Sequence, residues 1–428
     1  MRVRGVARPP GDKSMSHRSL FLAALGRGTS RVSGLLTGED VKSTARVLRQ
    51  LGVSIGAIRE REVAIKGARF QGPRARLDCG NSGTTSRLLL GLLAAQRFPA
   101  RLTGDASLRR RPMRRVTTPL RAMGAHIEEG ENGTLPIAIR GGHLQPLEYR
   151  SPVASAQVKS AILFAALAGE VPVTVREPYQ SRDHTERLFV HLGLDLHLKE
   201  GAISYQPSAV SKGGRVPAFD HTVPGDPSSA AFLVAAAVLA EGGELMIENV
   251  GVNPTRTGFL VVLERMGATV ERLNLRDEGG EAVADLVARP AELRGTEVTA
   301  AEVPGLVDEV PILAVLASRA RGDTVFREVG ELRVKESNRL ELIAANLRAV
   351  GAKAEARGND LFVVGGEKPP RGRVETARDH RLAMAFGVLG TVPGAAVALS
   401  ERKSVAISYP DFFRDLRRVG EPGRGRRT

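Results

Sequence analysis

SMSHRSLFLAALG from Ser14, TTSRLLLGLLAA from Thr84, SAQVKSAILFAALAG from Ser155, SSAAFLVAAAVLAEG from Ser228, DEVPILAVLASRARG from Asp308 and DHRLAMAFGVLG from Asp379 read as one segment written six times. Each opens on polar residues, continues in Ala and Leu, and finishes near small ones. Their starts lie 70, 71, 73, 80 and 71 residues apart. Each is long enough for a helix and apolar on most faces, which predicts buried helices. A second, more amphipathic series runs between them and ends Leu51-Gly52, Met123-Gly124, Leu192-Gly193, Met266-Gly267, Val350-Gly351 and Val419-Gly420. Glycine just past a helix takes the left-handed cap conformation without steric penalty. In the first five cases strand-like alternation follows, as in VSIGAIREREVAIKG and AKAEARGNDLFVVGG. Ala-rich composition alone does not generate two interleaved series at matching intervals.

The expected fold is therefore α/β, with six similar units, three to a domain. Two domains also suit 428 residues, more than one ordinary core holds. The sixth unit stops at its second helix and lacks a closing strand, so residues 1–11 are expected to complete its sheet. That makes the second domain discontinuous, residues 1–11 and 226–428, around a first domain of residues 12–225. The chain would cross between them near Asp12 and near Pro224–Asp226.

Hydrophobic content of 42% and charged content of 25% describe a globular chain, and with 4% aromatics and no Trp the core rests on Leu, Val, Ile and Ala. No apolar run approaches the length of a membrane span, and the start MRVRGVARPPGDKS has no signal-like stretch. The single cysteine, Cys79, suits a reducing compartment; the expected address is the cytoplasm. The net charge of +15 fits a nucleic-acid binder, a site for polyanionic small molecules, or an Arg-rich surface. The tail RRVGEPGRGRRT reads as a frayed basic end without an aromatic platform for bases.

The polar residues gather where the buried helices begin, and helix N-termini favour anions. PGDKSMSHR lacks the spacing of a nucleotide P-loop, yet Lys13 and Ser14 can hold an anion, with Arg18 one turn on. In DCGNSGTTSR, Gly80 and Gly83 let backbone approach a ligand and Asn81, Ser82 and Thr84 add polar contacts. RRRPMRR, residues 109–115, is expected to open a helix with Pro112 in its first turn, and Arg111 suits a bidentate anion contact. Ser155, Gln157 and Arg182 offer a phosphate cradle. His184, in DHTER, reads as a candidate base, with helix capping by Asp183 the plainer role for the pair. LVDEVP places Asp308 and Glu309 at a buried start. RVKESNRLELI is expected to put Lys335 and Arg339 on one helix face, beside Glu336, and DHRLAM adds Asp379 and Arg381. Paired carboxylates amid Lys and Arg suit acid–base chemistry on phosphorylated carboxylates. No metal-ligand spacing is present.

PGDKSMSHR, GNSGTT, RPM, RVKES and DHR, in that order, resemble the 5-enolpyruvylshikimate-3-phosphate synthase family, and with SYPDFF the likeness runs nearly the whole chain. The resemblance implies a two-domain enolpyruvyl transferase fold of three βαβαββ-type units per domain, with the active site in the interdomain cleft. It implies transfer of enolpyruvyl from phosphoenolpyruvate to the 5-hydroxyl of shikimate 3-phosphate, a step of aromatic amino acid biosynthesis leading to chorismate. No metal or organic cofactor is implied, nor a membrane or nucleic-acid partner; a monomer is expected. Lys13, Ser14, Arg18, Ser155, Ala156, Gln157, Arg182, Asp308 and Lys335 would meet shikimate 3-phosphate. Lys13, Gly83, Arg111, Gln157, Arg339 and Arg381 would meet phosphoenolpyruvate. Asp308 would be the base, Glu336 the acid, and Lys13 would reach both substrates. Ala156 stands where some members carry Ser, and Ile407 where others carry Lys ahead of the final Pro. The rivals are the sister family acting on UDP-N-acetylglucosamine, whose reactive Cys sits in a loop unlike that of Cys79, and a non-enzymatic nucleic-acid-binding protein.

Overall fold

The computed structural model describes residues 1–421. Each repeat holds a buried helix followed by an amphipathic one: α1 (Lys13–Ala24) and α2 (Glu39–Gln50), α3 (Gly83–Ala94) and α4 (Arg114–Ala122), α5 (Ala156–Gly169) and α6 (His184–His191), α7 (Pro227–Val238) and α8 (Gly258–Arg265), α9 (Val310–Ala317) and α10 (Arg339–Ala349), α11 (His380–Leu389) and α12 (Phe412–Val419). Every residue of α7 is buried, as the unbroken Ala, Val, Leu and Phe run after Pro227, Ser228 and Ser229 leads one to expect. α2 instead alternates buried Val41, Ala45, Val47 and Leu48 with exposed charge.

The chain forms two compact units. One comprises Gly11–Val223 with Glu278–Glu281, the other Met1–Pro10, Pro224–Asp277 and the chain from Ala282 onward. Among the described residues each has its own apolar core. In the first unit an aromatic file of Phe21, Phe164, Phe189 and Tyr205 runs through the centre with ring centroids 5.8–6.0 Å apart. Burying each such ring contributes about 1.5–3 kcal/mol. α3 and α5 pack closely because Gly91 has no side chain: a Cβ there would lie 2.2 Å from the Ala161 carbonyl oxygen.

The sheets repeat one order. Leu77–Asp78 pairs in parallel with Pro99–Thr103, then Ile137–Arg140 and His126–Glu129 follow antiparallel. Leu147–Arg150, Val173–Arg176, Ala202–Tyr205 and Leu196–Lys199 do the same, as do Glu297–Val298, Asp323–Phe326, Asp360–Val364 and Lys353–Arg357. In the first repeat the leading strand is supplied late, by Asp220–Thr222 pairing in parallel with Thr29–Ser33.

The N-terminal strand plays a different part from the one expected. Arg2–Ala7 pairs in parallel with Gly242–Gly251, so it opens the fourth repeat instead of closing the sixth. The sixth keeps only the parallel pair Arg371–Val374 and Ala396–Leu399, while Gly420–Glu421 adds to the far edge of Arg2–Ala7. This explains two local departures. Gly52, Gly124, Gly193, Gly267 and Gly351 take positive φ past their helices, but Gly420 is extended at φ −95°, because α12 runs straight into that strand. For the same reason the basic tail is not frayed from Arg417: Arg417 and Arg418 are helical and Gly420 is paired. Its remainder, 422–428, lies outside the described residues. Among the described residues no helix is long and apolar enough to cross a membrane.

Candidate active site

In the first unit the polar residues stand at the N-terminal ends of α1, α3 and α5. Asp12 caps α1 by accepting from the Met15 amide at 2.8 Å. Lys13 Nζ is 3.2 Å from Asp40 Oδ2. Arg18 is 2% exposed and fixed on every side: Nε donates to Thr185 Oγ1 at 2.7 Å, one terminal nitrogen to the Ser14 carbonyl at 3.0 Å, the other to Ser160 Oγ at 2.7 Å. Deeper in, His17, Thr44, Thr85 and Ser82 form a hydrogen-bonded file with steps of 2.7, 2.6 and 2.8 Å. Burial, then Lys13 and Arg18, hold His17 well below the ordinary histidine value, so it stays neutral.

Ser82 caps α3, and Gly83 follows as its first residue. A Cβ at Gly83 would lie 2.7 Å from one Arg87 terminal nitrogen and 3.4 Å from one of Arg111. The glycine thus leaves room for two guanidinium groups side by side. Arg87 donates to Gln157 Oε1 at 2.8 Å and to the Pro112 carbonyl at 3.1 Å, and Gln157 Nε2 donates to Thr84 Oγ1 at 3.0 Å. Arg111 donates to Asn81 Oδ1 at 2.6 Å, and Asn81 in turn to Asp105 Oδ2 at 2.6 Å. Pro112 is not in a first turn: a short 3₁₀ segment ends at Arg110 and α4 begins at Arg114, which leaves the Pro112 carbonyl to receive Arg87. Ser155 holds the N-cap position of α5 without a side-chain cap bond, and Ala156 is the first residue of that helix. Arg182 is half-buried beside Asp183. Asp183 sits at the N-cap of α6 but does not cap it, ion-pairing with Arg187 Nε at 2.9 Å instead. His184 is buried against Glu281 of the same unit, Nδ1 to Oε1 2.7 Å, which fills one of its ring nitrogens.

In the second unit one guanidinium organises the polar residues. Arg339, the first residue of α10, is fully buried. Its Nε is 2.7 Å from Asp379 Oδ2 and one terminal nitrogen is 3.1 Å from Asp379 Oδ1. That nitrogen also lies 2.5 Å from Glu336 Oε2, and the other is 3.6 Å from Asp308 Oδ1. Burial works to lower its pKa, but Asp379, Glu336 and Asp308 together raise it above the ordinary arginine value. Asp379 caps α11 through the Arg381 amide at 2.9 Å and accepts from Ser337 Oγ at 2.9 Å. Arg381 donates to the Asp308 carbonyl at 2.9 Å and stands 3.7 Å from its carboxylate and 3.5 Å from Glu309. Glu309 also receives the Ser228 hydroxyl. Lys335 does not share a helix face with Arg339. It follows a 3₁₀ segment, Gly330–Val334, its ammonium 3.0 Å from Glu331, because Asn338 caps α10 and starts the helix afresh. Ile407 ends a 3₁₀ turn and is half-buried.

The structure therefore brings Asp308, Glu336, Arg339 and Arg381 together in one unit, and Gly83, Arg111 and Gln157 together with Arg87 in the other. The sequence reading passed over Arg87 and Lys159. The signal is a lone cation about one turn into an otherwise apolar helix, a position that Arg18 also occupies in α1. Cys79 is fully buried, and burial, then Asp78, push its thiol far above the usual cysteine value, so it is no nucleophile.

The family model for EPSP synthase (3-phosphoshikimate 1-carboxyvinyltransferase) matches residues 1–416. A 3-phosphoshikimate 1-carboxyvinyltransferase of Thermus thermophilus is 49% identical over 423 residues, 97% of this chain and 96% of that one. Its counterpart in Desulforamulus reducens is 44% identical over 422 residues, 98% and 97% of the two chains. The EPSP synthase structure from Acinetobacter baumannii superposes with a TM-score of 0.85 at 40% identity, covering 98% of this chain and 96% of that one. The enolpyruvyl transferase NikO from Streptomyces tendae, at 19% identity and a TM-score of 0.77 over 98% and 95%, shares the fold. The chain belongs to the EPSP synthase family, the 3-phosphoshikimate 1-carboxyvinyltransferases.

Proposed function

We propose that this chain transfers the enolpyruvyl group of phosphoenolpyruvate to the 5-hydroxyl of shikimate 3-phosphate, with release of phosphate. The observation that carries the reading is the pair of partly exposed carboxylates, Asp308 and Glu336, held on one fully buried guanidinium, that of Arg339, with Arg381 alongside. Addition of an alcohol to an enol phosphate needs a base at the hydroxyl and an acid at the methylene carbon. Asp308 takes the hydroxyl proton as oxygen attacks C2, and Glu336 delivers a proton to C3. The product of that step is a tetrahedral ketal phosphate. Loss of a C3 proton and cleavage of the C2–O bond to phosphate then restore the double bond in the product. Fixed arginines favour the charge that develops on carboxylate and phosphate.

The proposal draws the acceptor's ligands from the first unit: Lys13, Ser14, Arg18, Ser155, Gln157 and Arg182, with the contact at Ala156 through backbone. It draws phosphoenolpyruvate's from Lys13, Gly83, Arg111, Gln157, Arg339 and Arg381, with Lys335 reaching the acceptor. The pre-bonded state of Arg18 and Arg111 supports this, since ordered donors lose less entropy on binding. A cytoplasmic monomer is part of the same proposal. The buried, unreactive Cys79 speaks against the sugar-nucleotide rival.

Phosphate release from phosphoenolpyruvate, assayed with either shikimate 3-phosphate or UDP-N-acetylglucosamine, tests the assignment. Release with the shikimate ester alone is expected. Release with the sugar nucleotide alone would replace the acceptor, and release with neither would remove the proposed activity.

A further inference from the structure

One buried polar cluster has no part in the chemistry above. Lys159 is the only charged residue within α5, and its side chain is 1% exposed. Its ammonium is 2.9 Å from Glu177 Oε2 and 2.7 Å from Glu186 Oε1, both carboxylates being as deeply enclosed. Glu177 follows the strand Val173–Arg176, and Glu186 lies in α6. Two carboxylates therefore share one ammonium. Burial raises the pKa of Glu186, whose second oxygen has no hydrogen-bond partner. Such a cluster gives little stability over apolar residues of the same volume, so what it holds in place matters more than its own energy.

The remaining bonds of Glu177 run toward the phosphate cradle. The Ser155 amide donates to it at 2.8 Å, the Ser181 amide at 3.3 Å, and the Ser181 hydroxyl at 2.8 Å. Lys159 adds a 3.4 Å bond to the Ser181 carbonyl. One carboxylate thus fixes both the residue that opens α5 and the residue before Arg182. The Ser155 hydroxyl makes no cap bond, so it is not committed to the helix. A bare carboxylate behind a phosphate site would repel the ligand, and Lys159 cancels that charge.

We infer that Glu177, clamped by Lys159 and Glu186, is a positioning residue that presets Ser155 and the Ser181–Arg182 segment for the acceptor's phosphate, and thereby sets preference for the phosphorylated ring over the bare one. This rests on the assignment of Ser155 and Arg182 to shikimate 3-phosphate.

Calorimetric titration of shikimate 3-phosphate and of shikimate into the wild type and Glu177→Gln tests it. The variant is expected to lose about tenfold or more in affinity for the phosphorylated ligand, the scale of one hydrogen bond to a charged group. Shikimate affinity should stay within about twofold, since it lacks the group being positioned. Ser155→Ala should weaken shikimate 3-phosphate binding in the wild type yet add little in Glu177→Gln, because Glu177 acts through Ser155. Should Glu177→Gln not fold, Ser181→Ala, which removes a single hydroxyl, should shift the same ligand ratio in the same direction. Equal losses for both ligands, or no loss, overturn the inference while leaving the proposed function standing. A wild type that fails to prefer the phosphorylated ligand overturns the acceptor assignment and the inference with it.

Discussion

Replacing Asp379 by Asn isolates the electrostatic support of the buried guanidinium. The substitution conserves volume, and Asn caps helices as well as Asp does, so the bond from the Arg381 amide survives at Oδ1. What changes is Oδ2, which accepts from Arg339 Nε at 2.7 Å and Ser337 Oγ at 2.9 Å. An amide nitrogen there faces the Arg339 Nε–H, which cannot accept, while the Ser337 hydroxyl can turn to accept from it. Breaking a buried ion pair costs about 3–5 kcal/mol, and the carboxylates of Glu336 and Asp308 remain to offset part of it. The expected local loss is about 3 kcal/mol, equivalent to about a hundredfold. Because the chain has two compact units, a single melting temperature is the wrong readout. Hydrogen exchange followed by mass spectrometry reports locally: protection of peptides spanning α10 and α11 should fall about a hundredfold, while α3 in the other unit stays unchanged. The KM for phosphoenolpyruvate should rise in parallel. A loss of protection below about fivefold would mean that Glu336 and Asp308 alone neutralise Arg339 and that Asp379 gives it no electrostatic support.

Glu336→Gln should lower kcat by at least about a hundredfold while changing shikimate 3-phosphate affinity by less than about threefold, as expected for a proton donor outside the phosphate cradle; equal losses in steady-state kinetics and titration would remove it from the acid role. Stability should also depend on pH through His221, which is buried beside His191 and Glu281, with burial and then His191 pushing its pKa down to about 4. The unfolded chain binds that proton near 6.5 and the folded chain only near 4, so stability present above 6.5 is lost as pH falls through this window. Hydrogen exchange of peptides around His221, followed from about pH 7 to about pH 4 and corrected for the intrinsic exchange rate, should show that slope, and His221→Asn should flatten it; an unchanged slope would assign the acid sensitivity to other groups.

Much of this was legible in the sequence because the two helix series carry strong local signals. Phe21, Leu88 and Ile162 sit in helices apolar on most faces, which buries them, and the Gly endings mark where the amphipathic helices stop. The position of the N-terminal strand was not legible, since Arg2–Ala7 joins the distant strand Gly242–Gly251 and nothing in RVRGVA specifies the partner. Lys335 was misplaced although the signal was present: Asn338 followed three residues later by Glu341 marks a helix start, which puts Lys335 before α10. The acid–base residues stood out individually, but their common dependence on Arg339 is a tertiary fact, as is the bridge from Glu177 to Ser155.

In enolpyruvyl transfer the bond between C2 and the bridging oxygen of phosphoenolpyruvate breaks. Phosphoenolpyruvate carrying ¹⁸O at that bridging position, incubated with the enzyme and shikimate 3-phosphate, tests it directly by mass spectrometry of the products. The released phosphate is expected to carry the label, and the carboxyvinyl ether oxygen, which comes from the acceptor, is not. Unlabelled phosphate with the ¹⁸O left in pyruvate would mean cleavage at phosphorus, and would contradict the roles given to Asp308 and Glu336.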